Sequence, residues 1–553
     1  MDKQFWSDKL PDGLPLDLPE FSYKSILDVF EKSVKKFGQK PAFSNMDYTI
    51  SYNQLDEMSK HFANYLRNHT SLEAGDRIAV QLPNLIQFPI VVFGAMRAGL
   101  VVVNTNPLYT EREMEHQFND SQAKALVVLS SFADKVEKIL PKTALRHVIV
   151  TDVGDALPTM KRFLVNSVVK YVKKMTPDYH LPNAVAYSAA LKMGARHQFT
   201  GNHSAQADDV AVLQYTGGTT GVAKGAMLTH SNIVSNMMQV RCLVDLHFDE
   251  GQETIVAPLP LYHIFAFTIG ILCMMELGSC TILITNPRDI PGFIKTLKTN
   301  RFSAFMGLNT LFVAMMNHPE FKDIDFSKLK FTISGGMALQ GPVADRWEDM
   351  TGCKICEGYG LTETSPCVTV NPPDRIQIGS IGIPLPGTEL DVRGPEGESL
   401  GIGESGELCV RGPQVMKGYW QREDATAEVM TQDNFFKTGD VAVIQEDGYL
   451  KIVDRIKDMI LVSGFNVYPN EIEDVVVSHP GIVETAAVGM PDEKSGEVVK
   501  LFVVKSDPTL TEEDVRNFCK EHLTAYKVPK MVVFKDELPK TNLGKILRRE
   551  LRT

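Results

Sequence analysis

The chain has 553 residues, 44% of them hydrophobic and 23% charged, and a net charge of −11. An ordinary globular core is within reach, at a length suited to about three to four domains or one large lobe with a small one. The acidic balance argues against nucleic-acid binding, which favours positive charge at phosphate backbones.

Met1 to Glu20 is polar and proline-rich, unlike a signal peptide. Ser25 to Phe37 and Ser51 to Arg67 read as amphipathic helices. Ile78 to Leu82 and Val101 to Asn104 read as strands, with a helix from Phe88 to Arg97 between them. Leu126 to Leu129 and Val148 to Thr151 repeat the strand signal. Strands alternating with helices imply an α/β fold with right-handed crossovers. Met160 to Met175 places Leu164, Val165, Val168, Val169, Val172 and Met175 on one helical stripe. Arg162, Lys170, Lys173 and Lys174 fall largely away from that stripe, and no acid occurs from Leu157 to Thr176. Two readings stand: a surface helix packing its stripe on the core, or a peripheral contact between residues 160–175 and an anionic inner membrane face.

The segment Tyr215-Thr216-Gly217-Gly218-Thr219-Thr220-Gly221-Val222-Ala223-Lys224-Gly225 follows. Glycines let successive N–H groups point at one anion, threonines add hydroxyl donors and the lysine adds charge. The combination suits a polyphosphate. It is not the Walker pattern, and its apolar flanks predict a loop joining two strands. The apolar run Ile264 to Met275 is too short for a membrane span of about 20 residues and reads as a buried helix. The eight cysteines form no disulfide framework and read as reduced cytosolic thiols. Cys353 and Cys356 read as part of a buried strand and not as a metal or redox pair. Glycine-rich β signals dominate as far as Val453. A segment of about 100 residues then suits one small domain, with a helix from Pro469, strands Thr485 to Val488 and Lys500 to Val504, and a helix Thr511 to His522. The expected division is 1–453 and 454–553, with an exposed connection at Asp454 to Lys457.

Further segments complete a pattern: Leu259 to His263, Ser334-Gly335-Gly336, Glu357-Gly358-Tyr359-Gly360-Leu361-Thr362-Glu363, Thr438-Gly439-Asp440, Asp454-Arg455, Ser463-Gly464 and Gly544-Lys545. In this order and spacing the chain resembles the adenylate-forming superfamily, from about Leu27 to Leu551, and within it the bacterial long-chain fatty-acid–CoA ligases that feed β-oxidation. The resemblance implies an α/β adenylate-forming fold with a large N-terminal lobe and a small, mobile α+β C-terminal one. It implies a ligase in which a fatty carboxylate attacks ATP to give an acyl-adenylate and pyrophosphate. Coenzyme A then takes the acyl group and AMP leaves.

The same resemblance implies roles. The loop from Tyr215 to Lys224 would hold the β- and γ-phosphates, and Ser334, Gly335 and Gly336 would let nucleotide and substrate approach the backbone. Residues Glu357 to Gly360 would line the adenine site, with Tyr359 offering a flat face. Thr362 would bond the α-phosphate, and Glu363 would bind Mg2+. Asp440 and Arg455 would contact the ribose, Lys545 would bridge carboxylate and α-phosphate, and His263 would join Lys545, Thr362 and Glu363 in the catalytic set. Phe265, Phe267 and Gly307 would line the acyl channel. Lys457 would be the hinge that swings Ser463 and Gly464 to coenzyme A. Taken singly, most of these have plainer readings: a core tyrosine at 359, a helix-start acid at 363, a turn residue at 440, a solvated basic tail at 545.

Three departures stand out. Gly217-Gly218 replaces a serine–glycine pair, Ala223 replaces a proline, and Asn434 to Lys437 replaces a glycine–tryptophan–leucine–histidine run. These bear on loop rigidity and chain length, leaving a ligase for medium-chain or aromatic acids as the alternative. The number of subunits is left open, a homodimer being one option.

Overall fold

The structure is a computed structural model and describes residues 3–216, 222–463, 465–492, 494–541 and 545–552. Many helices start where side chains satisfy the free N–H groups of the first turn. Ser25 accepts from Asp28 at the head of Ile26–Phe37. Ser51 and Gln54 cap Tyr52–His69 reciprocally, and Thr511 and Asp514 do the same for Glu512–His522.

Among the described residues the strands form four sheets. An eight-stranded sheet runs Gly418–Tyr419, Lys224–Thr229, Val210–Thr216, Val101–Asn104, Arg77–Gln81, Ala123–Leu129, His147–Thr151 and Val185–Ala186. A nine-stranded sheet runs from Ile383–Pro384 through Cys367–Val370, Ile355–Gly360, Phe331–Gly335 and Ala304–Gly307 to the hairpin Pro41–Asn45 and Tyr48–Ser51. The central strands of both, such as Arg77–Gln81, Ala123–Leu129, Ala304–Gly307 and Phe331–Gly335, pair in parallel and are largely buried, which explains their near-continuous apolar sequences. One apolar core joins the two sheets, taking in Phe30, Phe93, Phe267, Phe305 and Trp347.

A four-stranded antiparallel sheet follows, Glu389–Arg393, Ser405–Arg411, Phe436–Ile444 and Leu450–Arg455. The last sheet is built from residues beyond 459 alone, with Gly496–Lys505 between Ile460–Val462 and Ile482–Asp492. It has its own core around Ile472, Val476, Leu501 and Val515.

Two segments differ from a regular helix. The buried run Ala266–Cys273 winds as a wide π-type helix, with the Thr281 hydroxyl donating to the Gly270 carbonyl at 2.9 Å. The stripe of Thr159–Ser167 and Val168–Val172 does not pack on the core, because no residue of either element is buried. Met160 is 87% exposed, Phe163 76% and Val172 74%. Among the described residues no helix is long and apolar enough to cross a membrane. The eight cysteines are free thiols.

Candidate active site

Gly217, Gly218, Thr219, Thr220 and Gly221 lie outside the described residues, and so does Gly464. The base of the loop is described. Val210–Thr216 and Lys224–Thr229 pair antiparallel down to Thr216 opposite Lys224, so the loop joins strands as expected. Tyr215 faces inward beneath Gly225 and its hydroxyl donates to Asp120 at 2.7 Å. It buttresses the loop, while Thr216 is half-buried at its rim.

The short strand Gly418–Tyr419 lies along the same hairpin. Trp420 donates from its backbone to Gly225 and from its indole to Asp120, at 2.8 and 3.1 Å. The Tyr419 hydroxyl donates to Glu363 at 2.7 Å, and the Lys224 ammonium lies 5.2 Å from the Tyr419 ring centre. Tyr419 thus ties the lysine at the base of the glycine-rich loop to the carboxylate of the Thr362–Thr364 turn. Sequence reasoning missed Tyr419, Trp420 and Asp120. The adjacent aromatics after Gly418 are the local sign that could have drawn attention.

The second wall comes from the nine-stranded sheet. Ser334 pairs with Glu357 and Gly335 with Gly358 across adjacent parallel strands. Ser334 is fully buried and its hydroxyl has no partner among the described residues. Glu357 accepts from the Leu339 N–H at 3.2 Å, and burial pushes its carboxyl up to about 8. Glycine is required at 360, where a Cβ would stand 1.9 Å from the Pro366 carbonyl oxygen. It is required at 336 for its φ of +87°. Thr362 is half-buried, while Glu363 is buried and burial raises its carboxyl.

Asp440 closes the pocket. It is 2% exposed, accepts from the Tyr359 hydroxyl at 2.6 Å and pairs with Arg455 at 2.8 Å. Both carboxylate oxygens therefore already have partners, and each keeps further lone-pair capacity. Lys545 comes from the other end of the chain into the field of Arg455 and Asp440. Burial lowers its ammonium to about 8, and the Arg455 cation adds to the effect.

His263 is held neutral by burial, lowered to about 4. Its Nδ1 accepts from the Phe265 N–H at 3.3 Å, so the proton sits on Nε2. The Phe265 ring lies against Gly335, where a Cβ would be 3.2 Å away. Phe267 is fully buried. The space beside Gly307 is filled, because a Cβ there would meet the Phe312 ring at 2.5 Å. Lys457 and Ser463 are exposed, and the Ser463 N–H donates to Ser495 at 2.7 Å.

These residues bring together a buried carboxylate at Glu363, a second carboxylate fixed by a tyrosine and an arginine, and a half-buried amine. Such a set suits an anionic, hydroxyl-bearing ligand that reacts where charge accumulates. Among the described residues no cluster of three or more His, Cys, Asp or Glu could hold a metal ion.

Residues 30–420 match the AMP-binding enzyme family and residues 471–545 match the AMP-binding enzyme C-terminal domain. The chain is 54% identical over 551 residues to the long-chain-fatty-acid–CoA ligase of Escherichia coli O157:H7, covering 100% of this chain and 98% of that one. It is 50% identical over 553 residues to the ligase of the same name from Haemophilus influenzae, with the same coverage. Among solved structures it resembles ATP-bound MatB from Rhodopseudomonas palustris, with a TM-score of 0.82 and 29% identity over 95% of this chain and 98% of that chain.

Proposed function

Because the chain belongs to the AMP-binding enzyme family, we infer that it joins long-chain fatty acids to coenzyme A, consuming ATP through an acyl-adenylate and releasing AMP and pyrophosphate. The observation that carries this at the site is the half-buried Lys545 amine in the field of the Asp440–Arg455 pair. A carboxylate attacking a phosphate brings two anions together, and a preorganised cation at that point lowers the barrier. Pyrophosphate release with coenzyme A and a panel of acids tests the substrate. Long chains should give the highest kcat/KM. A preference for medium-chain or aromatic acids would replace this reading with the alternative ligase.

The residue roles are part of the proposal. Tyr359 would stack on adenine, Asp440 and Arg455 would hold the ribose, and Thr362 and Lys545 would contact the α-phosphate. Glu363 would hold Mg2+. The fit rests on a buried carboxylate with one oxygen bonded to Tyr419, which suits an ion that takes most of its ligands from phosphates and water. Bound there, Mg2+ would neutralise phosphate charge. Phe265, Phe267 and Gly307 would border the acyl channel, and Phe312 would have to yield for a chain to pass Gly307. Two lobes would move, divided near the expected 453/454 boundary but a few residues later, because Asp454 and Arg455 are paired into the large-lobe sheet and Asp454 is buried. Leu450–Arg455 remains paired with Phe436–Ile444, so the rotating bonds would lie beyond Arg455, at Lys457.

Peripheral membrane contact through 160–175 is also proposed, in keeping with a role in β-oxidation of acids that arrive through the membrane. Its support is the exposed set Met160, Phe163, Leu164, Tyr171, Val172 and Met175 beside Lys170, Lys173 and Lys174. Each basic residue near an anionic surface contributes about 1 kcal/mol. Co-sedimentation with anionic vesicles should fall with salt and with combined Lys170→Glu, Lys173→Glu and Lys174→Glu. Binding indifferent to both would dismiss the helix as an anchor.

A further inference from the structure

The helix Pro469–Val477 opens the small lobe beyond Lys457, and its own N-cap residue, Tyr468, makes no side-chain cap. The first N–H groups of a helix need acceptors. One is supplied from across the connection: the Asn470 N–H donates to the Asp454 carboxylate at 2.8 Å. Asp454 lies in Leu450–Arg455, where Val441 is its cross-strand partner in the four-stranded sheet. The Asn470 side chain adds a second bond to that strand, its amide donating to the Val453 carbonyl at 3.3 Å. Its oxygen accepts from Arg548 at 2.7 Å, and Arg548 in turn pairs with Glu473 and Asp458. Arg548 follows closely on Lys545 in sequence. A continuous chain of bonds thus runs from the Lys545 segment through Arg548 and Asn470 to the sheet that carries Asp440.

We propose that Asp454 and Asn470 are positioning residues: Asp454 caps the small-lobe helix from the large lobe and so holds Lys545 at the adenylation site, and the cap is released when the small lobe turns for thioester formation. The inference rests on the adenylation role of Lys545 and on rotation at Lys457. Asp454 and Val453 precede Lys457 and Asn470 follows it, so rotation there separates donor from acceptor. Asp454 is fully buried, with Arg455 N–H as a further donor at 2.7 Å. A carboxylate placed at the head of a helix also gains from the helix dipole.

The test measures the two half-reactions separately in the full-length enzyme. Asp454→Ala and Asn470→Ala should each slow ATP–pyrophosphate exchange about tenfold, the scale of a lost helix cap or hydrogen bond. Turnover of supplied acyl-adenylate with coenzyme A should stay within about twofold of the parent, since the cap is open in that step. Asp454→Asn keeps an acceptor oxygen and should restore exchange. Equal losses in both half-reactions would make these residues merely structural and overturn the proposal, as would exchange unchanged in both alanine variants. Lys545→Ala and Lys457→Pro run beside them. If Lys545→Ala spares exchange, or Lys457→Pro spares thioester formation, the reading of the site or the hinge falls and the cap with it. If both controls behave as expected and the alanine variants do not, the cap alone falls.

Discussion

The pocket around Asp440 and the segment carrying Lys545, which are proposed to serve one nucleotide site, are held by different means. Asp440 is locked between Tyr359 and Arg455 within paired strands, and its loop is pinned where Ile456 donates to Gly439 at 3.0 Å. Lys545 sits on a short terminal stretch whose described backbone bonds are to Thr541, at 2.7 and 3.1 Å. The difference follows from the two-step chemistry. Groups that hold the nucleotide throughout can be built into a sheet. A group needed in one step has to sit on a part that leaves, so its restraints must be few and separable.

The largest test of that contrast is Lys545→Ala. Removing one preorganised charge-stabilising donor costs about 10²–10³ in rate. That loss should fall on adenylation, measured by pyrophosphate exchange, and spare the conversion of supplied acyl-adenylate. Equal losses in both steps would mean that Lys545 belongs to the fixed part of the site.

Asp440→Asn probes the fixed part. The amide keeps an acceptor for Tyr359 but loses the charge that pairs with Arg455. Hydrogen bonds to charged groups are worth about 1.5–3 kcal/mol, so the KM for ATP should rise about tenfold or more. The KM for coenzyme A should hold steady, and an unchanged ATP KM would remove Asp440 from the nucleotide site.

The smallest effect is in pH. The Lys545 ammonium is lowered to about 8 from the ordinary 10.5, so it is charged below pH 8 and neutral above. Adenylation kcat/KM should fall above about pH 8, approaching tenfold per unit. The stability effect has the opposite sense. A lysine whose folded pKa lies below its unfolded value opposes folding while charged, and that opposition is relieved as pH rises from 8 towards 10.5. A flat rate profile through pH 9, or a profile unaltered in Lys545→Arg, would show that the amine does not govern this step.

Much of the fold was legible locally. Ser25, Ser51 and Thr511 announce their helices because each hydroxyl accepts the N–H three residues on, and Gln54 and Asp514 return the bond at Ser51 and Thr511. The strand–loop–strand reading around Tyr215 to Gly225 rests on apolar runs flanking a glycine-rich turn, and the pairing of Thr216 with Lys224 agrees with it. The family was legible too, because the order of short motifs survives in the linear chain; the roles assigned to Asp440, Lys545 and Glu363 remain part of the proposal.

Their arrangement was not. Tyr359 and Asp440 are 81 residues apart and Tyr419 and Glu363 are 56 apart. Bonds at such separations leave no periodic trace, so the role of Tyr419 in joining Lys224 to Glu363 emerged only when two sheets met. The stripe of 160–175 has the spacing of a core-facing helix, yet Leu164, Val172 and Met175 are exposed and Val165, Val168 and Val169 are only half-buried. Periodicity records that a face is apolar; whether another element covers it is a property of the whole chain. The sequence by itself determined the elements, the chemical groups and their order, since these depend on neighbours along the backbone. Tertiary structure alone decided which groups share a charge, which apolar face stays bare and which helix takes its cap from a distant strand, since those depend on neighbours in space.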